Sequence, residues 1–393
     1  MNEGEALLIF GGGMLQLSLI RTARGLGYRT VVIDPNPQAQ GREIADEFAV
    51  VGGGDFDATL DIALRHRVRG IVTAATDKPL VMMARVAQRM GLAFPSEVAV
   101  RNTINKFELK QTLQANGIPC AKGYLCDLSE LRERLEKDPI PFPLIIKPID
   151  SSGSRGVFYS DSMDSLLSAY QESIRHSAYD KVLIEEFMEG PEISVECLVQ
   201  DEVVHIIQVT DKTTTPFPYN VELGHMQPSR YIREHFANIQ QVISSAVRSL
   251  KLDDCALHPE LKITKTGVRI VEIGPRLGGD FITSHLVPLS TGVSMEEQLI
   301  NIAMRRQIVV TPTKKRFSAV VFFDFRSCPA ARVDLARRVQ KIGKQVHDFE
   351  LYYSGNDALP VVTNSLERHG HIVISSDSLD DLIQIKSGLC DVK

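Results

Sequence analysis

The sequence predicts an α/β domain built on a parallel sheet, followed by α+β units. Three observations carry this reading. Apolar β-type runs alternate with helical patterns at the start of the chain, and such βαβ alternation gives a parallel sheet with helices on both faces. A glycine turn, Gly11-Gly12-Gly13, joins the first run to the first helical pattern. Residues 120–190 and 192–310 then read as strands and helices of mixed order.

Element by element, Ala6 to Phe10 is the first strand, Met14 to Leu26 a helix, and Thr30 to Asp34 the second strand. A helix centred on Ile62 and a strand from Gly70 to Thr73 follow. Glu97 to Asn116 reads as one helix closed by Gly117 and Pro119, which are stop signals, and the first boundary is placed near it. Next come a strand near Ala121 to Leu125, a helix from Leu128 to Lys137, a strand at Pro143 to Pro148, a glycine loop, a helix around Leu166 to Arg175 and a strand at Val182 to Phe187. Strands are expected at Glu192 to Val199, Val203 to Val209, Ala256 to Ile263 and Val268 to Ile273, with a helix at Phe236 to Leu250. The tail begins on a strand, Phe317 to Phe323, and closes with a strand at His371 to Ser375 and a helix at Leu379 to Lys386.

Composition narrows the function classes. The chain has 393 residues, 44% hydrophobic and 24% charged, and a net charge of −5. A mildly acidic chain without clustered Lys and Arg has no electrostatic footprint for nucleic acid or an anionic membrane. No apolar run approaches the roughly 18 residues that cross a bilayer, so a soluble, cytoplasmic protein is expected. The six cysteines form no C-x-x-C pair, which points to buried or incidental thiols and away from zinc or redox sites.

The glycine turn invites a dinucleotide-binding reading, with Asp34 placed as a ribose acid. The fingerprint is incomplete, because Gln16 stands where a small third residue is needed. A dehydrogenase is kept as a minor alternative.

Three other segments carry more chemistry. Leu144 to Lys147 is an apolar strand ending on a lysine and running into Ser151-Ser152-Gly153-Ser154-Arg155-Gly156-Val157, a point charge followed by many free amides, which suits a polyphosphate. In Val182 to Glu196, a Gly190-Pro191 turn separates Glu185 from Glu192. Backbone near Phe187 is placed to read an adenine edge, and the Glu192 carboxylate to accept ribose hydroxyls. In the third segment, Glu260 and Glu272 sit on two strands joined at Lys265-Thr266-Gly267 and are expected on one face. Facing carboxylates repel unless a cation lies between them, and two hard oxygen ligands suit Mg²⁺. Arg276 follows as a fixed positive charge for phosphoryl or tetrahedral oxygens, and the Gly278 and Gly279 amides as an oxyanion cradle.

In this order the segments resemble the ATP-grasp superfamily of carboxylate–amine and carboxylate–thiol ligases over nearly the whole chain. The resemblance implies a pre-ATP-grasp parallel-sheet domain over 1–105 and a two-subdomain ATP-grasp clamp over 106–310, with its flap at about 120–190. A C-terminal α+β cap over 311–393 would pack on the clamp. It further implies that Lys106 and Lys147 bind phosphates and that Ser152, Gly153, Ser154 and Gly156 belong to the flap over them. Glu185 and Phe187 would form the adenine hinge, Glu192 the ribose acceptor, Glu260 and Glu272 the magnesium ligands, and Arg276 with Lys147 the catalytic charges. ATP and Mg²⁺ are the implied cofactors, with Mn²⁺ as a substitute. One departure is Gly274 where relatives often carry Asn, which removes one metal-coordinating oxygen.

The implied reaction is phosphorylation of a small carboxylate to an acyl phosphate, then displacement of phosphate by an amine. That chemistry rests on positioning and charge neutralisation, and no Ser/His/Asp triad is visible. Substrate contacts are assigned to His225, Arg230, Arg155, Gly278 and Gly279, with the segment Thr213 to Pro228 overhanging the acceptor site. The expected partners are small-molecule carboxylate and amine substrates and a second copy of the chain as a homodimer. Stand-alone amino-acid ligases resemble the chain most. A purine-biosynthesis-type or bicarbonate-activating ligase, and a non-catalytic ATP-binding sensor, are the alternatives.

Overall fold

The computed structural model describes residues 4–137, 139–151, 153–332, 334–353 and 358–390. Strands β1 (Ala6–Phe10), β2 (Arg29–Asp34), β3 (Glu47–Val50) and β4 (Val68–Thr73) form a parallel sheet in the order β3-β2-β1-β4. Every residue of β1 is buried, as expected for a central strand covered on both faces. Helices α1 (Leu17–Gly25), α2 (Phe56–Arg65) and α3 (Leu80–Met90) flank the sheet. The edge strand β3 was not expected: its apolar run, Phe48-Ala49-Val50, is short, and the strand is only partly buried.

The single helix expected over Glu97 to Asn116 is two, α4 (Glu97–Ile104) and α5 (Lys106–Ala115). Asn105 between them is extended, with ψ 111°, and its side-chain oxygen accepts the amides of Phe107 and Glu108. An Asn side chain offers the backbone this alternative to an uninterrupted helix. The break makes Lys106 the first residue of α5. There it is buried and donates to the Ser151 carbonyl at 2.6 Å.

A second sheet, antiparallel and ordered β5-β8-β6-β7, is made of β5 (Gly123–Cys126), β6 (Leu144–Lys147), β7 (Phe158–Ser160) and β8 (Val182–Glu186). Helices α6 (Leu128–Lys137) and α7 (Met163–Ile174) accompany it. Tyr124, Leu144, Ile146, Leu166, Val182 and Ile184 give this small unit its own core.

The third sheet has eight strands in the order β13-β12-β9-β10-β11-β14-β16-β15. These are β9 (Glu192–Gln200), β10 (Val203–Thr214), β11 (Glu222–Gln227), β12 (Cys255–Thr264), β13 (Gly267–Gly274), β14 (Phe317–Phe322), β15 (Val346–Leu351) and β16 (Gly370–Ser376). The C-terminal strands therefore continue the sheet edge to edge from β11 through β14. Helix α8 (Ile232–Leu250) lays Ile239, Val242, Ile243 and Ala246 into one core with β9, β12 and β13, and Leu109 and Leu113 of α5 join it. Between β10 and β11 only residues 215–221 are loop, so half of the segment expected as an overhang is sheet.

Gly190, at the junction of β8 and β9, links the second sheet to the third. Its φ is +140°, and a Cβ there would lie 2.0 Å from the Ile263 carbonyl oxygen. Gly190→Ala is expected to destabilise the protein by about 1–3 kcal/mol, through strain and displacement of β12. Urea denaturation checks this, and an unchanged midpoint would refute it. No helix among the described residues is long and apolar enough to cross a membrane.

Candidate active site

A cleft opens between the second and third sheets. It is lined by Lys106, Lys147, Gly153, Ser154, Arg155, Glu185, Phe187, Glu192, Glu260, Glu272 and Arg276. At its closed end lies a buried charge network. Lys147 at the end of β6 sits 2.7 Å from Glu185 of β8, and the fully buried Lys110 of α5 approaches the other Glu185 oxygen at 3.4 Å. Burial alone would raise the Glu185 carboxyl, but Lys110 and Lys147 outweigh it and hold the group below its ordinary value. Burial lowers the Lys110 ammonium despite Glu185. For Lys147 burial works the same way, and here the Glu185 charge and hydrogen bond win and raise it. Two cations share one anion, so the network leaves a net positive charge at the cleft wall, where an anion is favoured.

The sheet pairing fixes the two acids. Glu260 of β12 is the direct cross-strand partner of Glu272 of β13, and both line the cleft. Lys212 lies 2.9 Å from Glu260, and Lys106 lies 3.4 Å from Glu272. A pair of carboxylates with only oxygen donors fits Mg²⁺, which is usually held by one or two carboxylates together with phosphates and water. Arg276 donates from Nε to Asp77 at 2.9 Å, so the loop after β4 of the first sheet reaches the same cleft. A Cβ at Gly274 would sit 3.1 Å from the Arg276 guanidinium carbon. Gly274 thus gives the arginine room that an Asn would take.

At the other end, Glu192 is gripped by Lys212 at 2.6 Å and Lys262 at 3.2 Å, and these two lysines overcome the effect of burial to keep it ionised. Both its oxygens retain further acceptor capacity for hydroxyls. The Phe187 amide donates to the Pro143 carbonyl, so that N–H is not available to a base edge. The hinge is aromatic instead. Phe187, Tyr159 and Phe217 form a cluster with centroid separations of 4.7 to 5.8 Å, and Phe217 comes from the 215–221 loop.

Next to the acids the cleft continues into a mixed-charge region containing Arg155, Glu222, His225, His258, Gly279, Asp280 and Arg368. His225 is buried, with Nε2 3.4 Å from Asp280. Gly278 lies behind it, and a Cβ there would meet His258 at 2.7 Å. Arg230 goes elsewhere: its Nε is 2.8 Å from Asp211 and its side chain is mostly exposed, away from this cleft. Ser152 lies outside the described residues.

A family model described as an ATP-grasp domain matches residues 140–284. The fold superposes on the L-amino acid ligase of Bacillus licheniformis with a TM-score of 0.80 at 18% identity, covering 99% of this chain and 98% of that one. It superposes on the N5-carboxyaminoimidazole synthetase of Staphylococcus aureus with a TM-score of 0.79 at 14% identity, covering 100% and 98%. Residues 140–284 form an ATP-grasp domain. Among curated relatives, the uncharacterized protein y4rH of Sinorhizobium fredii is 25% identical over 334 residues, which is 80% of this chain and 66% of that protein. The chain thus spans just under two thirds of that relative's length.

The ATP-grasp match contains Lys147, residues 153–157, Glu185, Glu192, Glu260, Glu272 and Arg276, while Lys106 and Lys110 precede it. Several of its cleft residues went unread in the sequence. Lys212 meets three carboxylates, those of Glu192, Glu222 and Glu260. Its signal was alternation on β10, which places it on the same face as Thr210. Asp77, Lys110 and Glu196 had no local signal, because each gains its meaning from a partner far along the chain.

Proposed function

We propose that the chain is an ATP-dependent ligase that activates a small carboxylate as an acyl phosphate and joins it to an amine, releasing ADP and phosphate. The observation that carries this reading is the single cleft in which Lys106, Lys147, Glu260, Glu272 and Arg276 converge from four separate segments. Lys147 and Lys106 hold the phosphates, with the 153–157 flap above them. Glu260 and Glu272 would hold Mg²⁺, which when bound would supply charge neutralisation for the phosphates. The substrate carboxylate oxygen attacks the γ-phosphorus as the bond to ADP breaks. The amine nitrogen then attacks the acyl carbon, the tetrahedral adduct loses a proton, and phosphate departs. Arg276 faces both stages as a charge that cannot be lost, stabilising oxygens that gain negative character.

The mixed-charge region supports an amino acid as the substrate class. Acids and bases line one space: Glu222 and Asp280 suit an ammonium, and Arg155 and Arg276 suit a carboxylate. A matrix of amino-acid pairs with ATP and Mg²⁺, read by phosphate release and mass spectrometry, tests the proposal. At least one pair is expected to raise phosphate release about tenfold or more over ATP alone, with a condensed product. ATP binding with no substrate-dependent release across amino acids, bicarbonate and ribosylamines would reject ligation in favour of a sensor.

A further inference from the structure

We propose that the carboxyl end of the parallel sheet is a second small-molecule site, built for an apolar α-amino acid and adjoining the ATP-grasp cleft at Lys78. The glycine turn after β1 is not explained by ligation. It borders a cavity of about 390 Å³ at the carboxyl ends of β1, β2, β3 and β4, within the range of small-ligand pockets. This is where open α/β sheets bind ligands: neighbouring strands on either side of β1 lead their chains away in opposite directions and leave a crevice.

A dinucleotide does not fit there. The Gln16 side chain lies across the turn, within 3.2 to 3.4 Å of where Cβ atoms on Gly11 and Gly13 would stand, and its amide donates to the Ala74 carbonyl at 2.6 Å. It occupies the path a pyrophosphate needs. The remaining lining has a different logic. Phe10, Ile33, Val51 and Met82 make an apolar wall, Asp34 lies at one side and Lys78 at the mouth. The Asp34 oxygens each accept one backbone amide at 2.7 Å, from Gly12 and Asn36, which fixes the carboxylate and leaves a lone pair on each. Lys78 is exposed, has no acid partner among the described residues and also borders the mixed-charge region of the cleft. One fixed anion, one open cation and an apolar wall complement a zwitterion with an apolar side chain: ammonium on Asp34, carboxylate on Lys78, side chain against Val51 and Met82. Lys78 follows Asp77, the residue that holds Arg276, so an occupant of this site bears on the loop that reaches the cleft.

The test is calorimetry on the full chain with saturating Mg·ADP, using L-leucine, L-methionine and L-phenylalanine, with leucine methyl ester and NAD as controls. One or more of the three amino acids is expected to bind in a 1:1 ratio. Removing the carboxylate (the ester) or the cation (Lys78→Met) is expected to weaken binding about tenfold or more, the scale of one lost charge contact. Gly53 borders the cavity with open space at its Cβ position, so Gly53→Phe is expected to abolish binding, whereas Glu272→Gln in the other cleft leaves it intact. Transfer of magnetisation from ligand side-chain protons to a labelled Met82 methyl gives a reading on the wild-type chain that does not depend on any variant folding. Binding by none of the three, binding that survives Gly53→Phe, binding lost in Glu272→Gln, equal binding of NAD, or no transfer to Met82 would each overturn the proposal. None of these results bears on whether the ATP cleft ligates.

Discussion

Replacing Glu272 with Gln is expected to lower ATP-dependent phosphate release by about a thousandfold, with stability changed by less than about 1 kcal/mol. The two effects separate because Glu272 is placed for charge, not for packing. Its side chain is 28% exposed, and its ion pair with Lys106, at 3.4 Å, is long. Gln keeps the size and one acceptor oxygen, so the β12–β13 pairing survives. What disappears is half of the anionic pair proposed to hold a divalent cation, in the cleft it shares with two lysines and an arginine. Without it the phosphates face Glu260 alone, and the charge that builds on the transferred group is no longer matched. Glu260→Gln should behave alike in turnover but cost more stability, because Lys212 then loses one of its three carboxylate partners. Steady-state phosphate release and thermal melting on the same samples check both variants. Turnover within about tenfold of wild type in Glu272→Gln would remove the two-acid site from the mechanism.

Local pattern was enough for the parts of this structure whose cause is local. Alternation and apolar runs placed β1, β2, β4, β9, β12 and β13 to within a residue or two, because buried strands announce themselves in composition. The opposition of Glu260 and Glu272 was legible for the same reason, since a short turn at Lys265-Thr266-Gly267 fixes register. The lysine at the end of β6 and the Gly190-Pro191 turn were legible as exceptions to an apolar run. What stayed hidden depends on distant partners. The Asn105 cap turns one helix into two and re-aims Lys106, yet Asn inside a helical pattern reads as a tolerated polar residue. Strands β3, β11 and β15 are partly buried or polar, and pairing with neighbours makes them strands. The resemblance assigns Glu185 to the adenine hinge, and the pairing of its carboxylate with Lys110 and Lys147 is a separate feature that only the fold brings together. Arg230 reads as a substrate contact from its nearness to His225 in sequence, but β11 ends before it and Asp211 takes its charge.

Arg368→Met is expected to destabilise the protein by about 3–5 kcal/mol at pH 7, the cost of leaving one member of a mostly buried ion pair behind. Arg368 donates to both Asp280 oxygens, at 2.7 and 2.8 Å, and its guanidinium lies 3.5 Å from the Phe322 ring centroid. Burial would raise the Asp280 carboxyl, but the Arg368 charge and its hydrogen bonds, with help from His225, hold it well below the ordinary range. A carboxyl whose folded value is depressed gives stability that is fully present above its unfolded value, about 3.9, and is lost only as pH falls further. Wild type therefore loses nothing through Asp280 between pH 7 and pH 5. In Arg368→Met the same carboxyl faces burial without the guanidinium, its value moves up, and protonation relieves the variant as the pH drops. The stability gap between the two proteins should thus be widest near pH 7 and narrow toward pH 4, as urea denaturation at each pH would show. Asp280 also has a left-handed backbone, with φ +51°, followed by Phe281 at φ +62°, so the pair holds a strained turn beside the acceptor region. Arg368→Lys keeps a point charge but not the two-pronged contact or the ring stacking, and should recover only part of the loss. A gap that stays constant with pH would mean that packing on Phe322, not the Asp280 charge, is what Arg368 contributes.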